Sequence, residues 1–222
     1  MEIKEVLEMK YITFALGKGR LVNNTINLLK EIGIEFPEYH ENSRKLIFED
    51  EVNKIRIVLV KASDVAVYVE RGAADIGVIG KDTLIESGAN VYEMVDLGFG
   101  RCRFAVAGLP GTDLNKKRLV VASKYPTVTK QFFAKKGQLI DTIHLNGSVE
   151  LAPLVGLSDC IVDIVETGRT LKDNGLVVLE DICEITARLI VNKASFKTKN
   201  QRINDLIQQI EASVSKKGDL VR

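Results

Sequence analysis

The sequence predicts an α/β protein of two lobes, each a mainly parallel sheet flanked by helices. Two observations carry this. Short Val- and Ile-rich runs alternate with amphipathic stretches, the pattern of parallel strands joined by crossover helices. Two extended segments, about 91–108 and 176–191, are long for single strands and could each pass between lobes. That makes 1–103 plus 186–222 one lobe and 104–185 an inserted second lobe, with a ligand cleft expected between them.

The elements follow in order. Tyr11 to Leu16 reads as a buried strand, and Gly17 to Arg20 as a tight loop. A helix runs from about Leu21, with Leu21, Leu28 and Ile32 on one face and Gly33 as its stop. Ser43 to Glu49 predicts a short strand, and Ile55 to Val60 another. Ser63 or Asp64 can cap the next helix, which ends at Gly72. Ala74 to Ile79 is a strand, and Gly80-Lys81-Asp82 opens a short helix ending at Gly88. Val91 to Gly108 is extended and interrupted by Gly98 and Gly100. Leu119 to Ser123 is a strand, and Pro126 stands in the first turn of a helix ending near Gly137. Leu139 to Leu145 is a strand, and Ser148 starts a helix to about Gly156. Asp159 to Val165 is a strand, followed by a loop and short helix from Glu166 to Asn174. The last helix starts near Thr198, with Ile203, Leu206, Ile210 and Val214 on one face.

Composition narrows the function. Of 222 residues, 45% are apolar and 27% charged, as in an ordinary globular protein. A net charge of +1 argues against a dedicated nucleic-acid binder, which needs a basic face. Cys102, Cys160 and Cys183 form no CxxC pair, and His40 and His144 are the only histidines, so a transition-metal site is not expected. His144 reads as structural. Met1 to Lys10 lacks the apolar run of a secretory signal, and no stretch reaches membrane-spanning length. A cytoplasmic protein with reduced thiols is expected.

The segment richest in chemistry is Cys160 to Leu171. A β-branched strand runs into a loop of small and hydroxylated residues and then a helix, so successive backbone N–H groups can face one phosphate. Thr167 and Thr170 can donate hydroxyl hydrogen bonds, Gly168 lets the backbone approach closely, and Asp163 can accept from ribose hydroxyls. The plainer alternative is a strand–turn–helix junction with an ordinary cap. Gly17-Lys18-Gly19-Arg20 suits a polyphosphate or is a solvated basic turn. Alone, Arg44 reads as a surface charge and Asp82 as a helix cap. Ser123-Lys124-Tyr125-Pro126 repeats the strand-to-helix form and could be a second anion or base contact. Glu150 falls in a helix's first turn, where the dipole favours an acid.

Glu150, Gly156, Ser158, Ile161, Asp163-Ile164, Thr167-Gly168 and Thr170-Leu171 together resemble the signature of the ATP phosphoribosyltransferase family, which opens histidine biosynthesis. Ala15 to Arg20, Asp75 to Asp82 and Ala122 to Pro126 look like the same family in the same order. The departure is Gly17, where many members have Ser or Pro. The chain's length resembles the family's short form, and the resemblance implies a fold like type II periplasmic binding proteins. It also implies Mg²⁺ carried by substrate phosphates, with no protein ligand to the metal. The implied partner is a regulatory subunit resembling histidyl-tRNA synthetase, with a homodimer of this chain inside a hetero-octamer.

The implied reaction joins N1 of the adenine of ATP to C1 of 5-phosphoribosyl 1-diphosphate and releases diphosphate. The resemblance assigns the donor to Asp163, Ile164, Val165, Glu166, Thr167, Gly168, Arg169 and Thr170. Arg20 and Arg44 are the expected catalytic cations. Lys18, Asp82, Cys102, Ser123, Tyr125 and Glu150 are weaker assignments to ATP or diphosphate. A salvage phosphoribosyltransferase of another fold is disfavoured because Ile164 stands where its second acid would be. A two-lobed anion-binding protein is the non-enzymatic alternative.

Overall fold

The computed structural model describes residues 11–220, with side-chain surroundings as far as residue 216. Met1 to Lys10, read above as lacking a secretory signal, lies outside the described residues. Two compact units divide the chain: unit 1 runs to Gly100 and resumes at Thr186, and unit 2 is Arg101–Ile185.

Unit 1 contains β1 (Ile12–Gly17), β2 (Ile47–Asp50), β3 (Ile55–Val60), β4 (Ile76–Gly80), β5 (Tyr92–Asp96) and β11 (Ala187–Val191). They form one sheet in the order β2-β3-β1-β4-β11-β5. β1 runs parallel to β3 and β4, and β11 lies antiparallel between β4 and β5. Side chains of β1 alternate between faces. Ile12, Phe14 and Leu16 pack with Leu28, Leu29, Ile203 and Ile210 of the helices Arg20–Glu31 and Asn200–Leu220. Ala15 packs on the other face with Val65, Val69 and Ile190. Both faces of the central strand are thus covered, as parallel strands with crossover helices require.

Unit 2 contains β6 (Cys102–Gly108), β7 (Leu119–Ser123), β8 (Ile140–His144), β9 (Cys160–Val165) and β10 (Val177–Ile185). Their order is β10-β6-β9-β7-β8, with β9, β7 and β8 parallel. Its core joins Ala105, Ala122, Ile161 and Val165 to Leu171 and Leu176. The α/β class holds, and each sheet keeps three parallel strands. The antiparallel pairs come from the hairpin β2–β3 and from β6, β10 and β11, the strands next to the points where the chain changes unit.

Other boundaries differ from the sequence reading for local reasons. Residues 43–46 precede β2 rather than belonging to it, although Leu46 O still accepts from Leu59 N at 2.8 Å. Ala62–Asp64 forms a 3-10 turn, so the next helix starts at Val65. Ser63 Oγ donates to Asp64 Oδ1 at 2.8 Å, and neither side chain caps that helix. The helix expected from Ser148 spans only Leu151–Leu154, because Ser148 has φ 49° and Gly156 φ 73°. The run 176–191 is two strands in different sheets, broken at Thr186. His144 is exposed at the end of β8, which removes the structural role read for it.

Candidate active site

In unit 2 the carboxyl ends of the parallel strands β9, β7 and β8 are Val165, Ser123 and His144. Ligands of open α/β sheets bind at that edge. β9 delivers the loop Glu166–Gly168 there, followed by the helix Arg169–Asp173. Gly168 has φ 74° and ψ 3°, a left-handed conformation that favours glycine. Thr167 Oγ1 accepts from Arg169 N at 3.3 Å, which holds the loop folded over the helix start. The first intrahelical bond is Lys172 N to Gly168 O at 3.1 Å, so the amides before it are those that lack intrahelical acceptors.

With only five residues, that helix has a small dipole. What the loop offers an anion is therefore its directed amides and the exposed Thr167 and Thr170 hydroxyls, with little from the macrodipole. Asp163 is half-buried, and its Oδ1 accepts from Ile164 N at 2.8 Å. Ile164 is half-buried, and Val165 is buried in the unit 2 core, so Val165 can contribute only backbone. Glu166 is exposed, and exposed Arg169 pairs along its own helix with Asp173 at 3.6 Å, a contact of little energetic weight.

Three weaker assignments change in character. Ser123 is 1% exposed, donates its hydroxyl to Val162 O at 2.6 Å and accepts from Tyr125 N at 2.8 Å. Tyr125 is 6% exposed, edge-on to Phe104 with ring centroids 4.9 Å apart. Both residues build the junction from strand to helix instead of presenting open groups to a ligand. Glu150 sits at the cap of a four-residue helix, where too few peptides align for the dipole to select an acid. Cys102 is half-buried at the start of β6, opposite Ile185.

In unit 1 the parallel strands β1, β3 and β4 end at Gly17, Val60 and Gly80. Lys18 N donates to Val60 O at 2.9 Å, so the cationic loop continues the β1–β3 ladder by one bond. Gly19, with φ 124°, turns the chain into the helix that starts at Arg20. β2 is antiparallel to β3 and begins at this same edge, which brings Arg44 to the end of the sheet that carries Lys18 and Arg20. Lys18 and Arg44 are exposed and have no ion pair among the described residues. Register alone unites these cations, which the sequence separates by more than twenty positions.

Asp82 is 8% exposed in the first turn of the helix Lys81–Ser87, and Thr83 Oγ1 donates to it at 3.1 Å. A Cβ on Gly80 would lie 2.1 Å from Asp82 Oδ1, so the carboxylate is folded back over the glycine. Gly17 is explained similarly: a Cβ there would stand 2.8 Å from Ala62 Cα. Sequence reasoning passed over Lys61, exposed directly after β3. Its signal was available, since a cation right after a parallel strand falls at the carboxyl edge.

Residues 61–212 match the family model for ATP phosphoribosyltransferase (HisG). The chain is 54% identical over 205 residues to the ATP phosphoribosyltransferase of Clostridioides difficile, covering 91% of this chain and 98% of the relative. It is 52% identical over 216 residues to that of Ruminiclostridium cellulolyticum, covering 95% and 100%. Among solved structures, the ATP phosphoribosyl transferase (HisG:HisZ) complex from Thermotoga maritima matches with a TM-score of 0.79 at 34% identity, over 92% of this chain and 99% of that one. Tv2483 bound to L-arginine matches with a TM-score of 0.62 at 12% identity, over 97% of this chain and 88% of that one, a likeness of fold alone. The strand-edge loops, the family match and relatives of equal span agree: this chain belongs to the ATP phosphoribosyltransferase family.

Proposed function

We propose that this chain transfers the 5-phosphoribosyl group of 5-phosphoribosyl 1-diphosphate to N1 of the adenine of ATP, the first step of histidine biosynthesis. The observation that carries the reading is the loop after β9, where a half-buried carboxylate, a left-handed glycine and two exposed threonines follow one another within eight residues. Glu166 to Thr170 hold the 5-phosphate through backbone amides and the Thr167 and Thr170 hydroxyls. Asp163 accepts from the ribose hydroxyls.

In the reaction adenine N1 forms a bond to C1 while the C1–O bond to diphosphate breaks. The electron pair leaves with the diphosphate, so negative charge grows there as C1 becomes cation-like. Stabilising that charge calls for fixed cations rather than a strong base. Arg20 and Arg44 fill this role, with Lys18 beside them. Among the described residues no three His, Cys, Asp or Glu side chains are grouped to hold a metal ion. In this reading Mg²⁺ arrives on the diphosphate, where it would supply further neutralising charge.

The assembly belongs to the same proposal. The Thermotoga maritima relative forms a HisG:HisZ complex, which supports a regulatory subunit for this chain too. We assign that subunit a likeness to histidyl-tRNA synthetase and the assembly four copies of each chain. No helix among the described residues is long and apolar enough to cross a membrane, and a cytoplasmic location is part of the reading. The test mixes the protein with ATP, 5-phosphoribosyl 1-diphosphate and Mg²⁺, with and without the partner, and follows the near-UV change of N1-substituted adenine. Donor binding with no such change, partner included, would reject the transferase reading in favour of a binding protein.

A further inference from the structure

We infer that Ser123 is a positioning residue for Asp163, and that it acts on the phosphoribosyl donor without touching any substrate. The inference rests on the reading of Asp163 as the ribose contact. The β7–β9 register runs Val121 to Cys160, Ala122 to Ile161 and Ser123 to Val162, and stops there. β9 continues through Asp163, Ile164 and Val165, which are in register with Ala105, Phe104 and Arg103 of β6. The last residues of β9 thus extend past the β7 ladder, and they lead directly into the donor loop.

At that point a buried serine takes over from the backbone. Ser123 Oγ donates to Val162 O at 2.6 Å, and the same oxygen accepts from Tyr125 N at 2.8 Å. One hydroxyl therefore ties the carbonyl immediately before Asp163 to the turn that leaves β7. At 1% exposure it has no water to replace either bond. Without it, the Val162 carbonyl and the Tyr125 amide would both lose a partner inside the fold. β9 would relax just where the direction of the Asp163 carboxylate is set. Ser123 O also accepts from Leu145 N at 3.1 Å, but this backbone bond survives any side-chain change, so the hydroxyl's effect can be isolated.

The test compares wild type with Ser123→Ala by calorimetric binding of 5-phosphoribosyl 1-diphosphate and, separately, of ATP. Hydrogen–deuterium exchange of the amides from 160 to 171 is followed in parallel. We expect donor affinity to fall about tenfold, the effect of losing roughly one well-placed hydrogen bond. ATP affinity should stay within about twofold, and exchange should quicken at 163–168 but not in β8. Ser123→Cys keeps the size and weakens both bonds, and it gives the same pattern should the alanine variant not fold. Loss of ATP affinity with donor affinity intact would overturn the inference and restore a direct ATP contact. So would unchanged exchange at 163–168. Wild type that binds no donor would sink the functional reading, and the exchange data would still decide whether Ser123 holds the end of β9.

Discussion

Lys199 Nζ donates to both carboxylate oxygens of Asp75, at 2.9 and 2.8 Å, across 124 residues of chain. The same carboxylate accepts from Thr13 N at 2.9 Å, and the ammonium also reaches Tyr11 O at 3.1 Å. Asp75 therefore joins the start of β1 to the segment before the last helix. Removing one partner strands a charge where little water reaches. Lys199→Met should destabilise the protein by about 3 kcal/mol, read as a lower urea midpoint. Adding Asp75→Asn should recover part of the loss. An unchanged midpoint in the single variant would show that solvent replaces the lysine.

Gly17 is held to glycine by its neighbour. Since a Cβ there would meet Ala62 Cα at 2.8 Å, Gly17→Ala should cost about 1–3 kcal/mol. It should also displace Lys18 from its bond to Val60 O and weaken the diphosphate-bearing substrate. The closest atom is backbone, so Ala62→Gly should not rescue it. Full rescue by that second change would assign the clash to the Ala62 methyl group instead.

The roles proposed for Arg44 and Thr170 predict different kinetic losses. Arg44→Ala should lower kcat by about 10²-fold, the scale of removing one donor aimed at developing charge, with KM nearly unchanged. Equal losses in kcat and affinity would remove the transition-state role. Thr170→Val should weaken donor binding about fivefold to tenfold and leave ATP alone. Titration calorimetry of each substrate distinguishes the two.

The cysteines give a pH prediction. Burial first, and the negative charge of Asp159 second, push the Cys160 thiol from 9.0 up to about 12. Its folded value lies above its unfolded one, so the protonated thiol contributes stability that is complete below pH 9 and is lost as pH rises toward 12. Cys160→Ala should therefore flatten the alkaline decline in stability. With a disulfide reagent at pH 8, Cys183, which is exposed, should react first and Cys160 only after unfolding.

Much of this was legible in the chain. Ile55–Val60 and Leu119–Ser123 are legible to the residue because each is a short, mostly apolar run bounded on both sides by a cation, Lys54 and Lys61 or Arg118 and Lys124. The strand–loop–helix form of 160–173 is legible because its members are contiguous. The cations were harder: Arg44 looks like a surface charge until β2 pairs antiparallel with β3 and returns it to the edge beside Lys18. The burial of Ser123 and Tyr125 is not legible, since a strand-to-helix junction reads the same whether its hydroxyl faces a ligand or a neighbouring strand. Asp75 gave no sign of Lys199, because nothing local marks a partner 124 residues away.

The position of β11 has a consequence for synthesis. It lies between β4 and β5, so the sheet of unit 1 cannot close until residues 187–191 have been made. Unit 2 draws all its strands from residues 102–185, an uninterrupted stretch. On the ribosome the later-translated unit thus has every strand it needs before the earlier one does, reversing the usual order in which amino-terminal domains finish first. Until β11 emerges, β4 and β5 have a missing neighbour between them, and the nascent amino-terminal part is most open to mispairing over that interval.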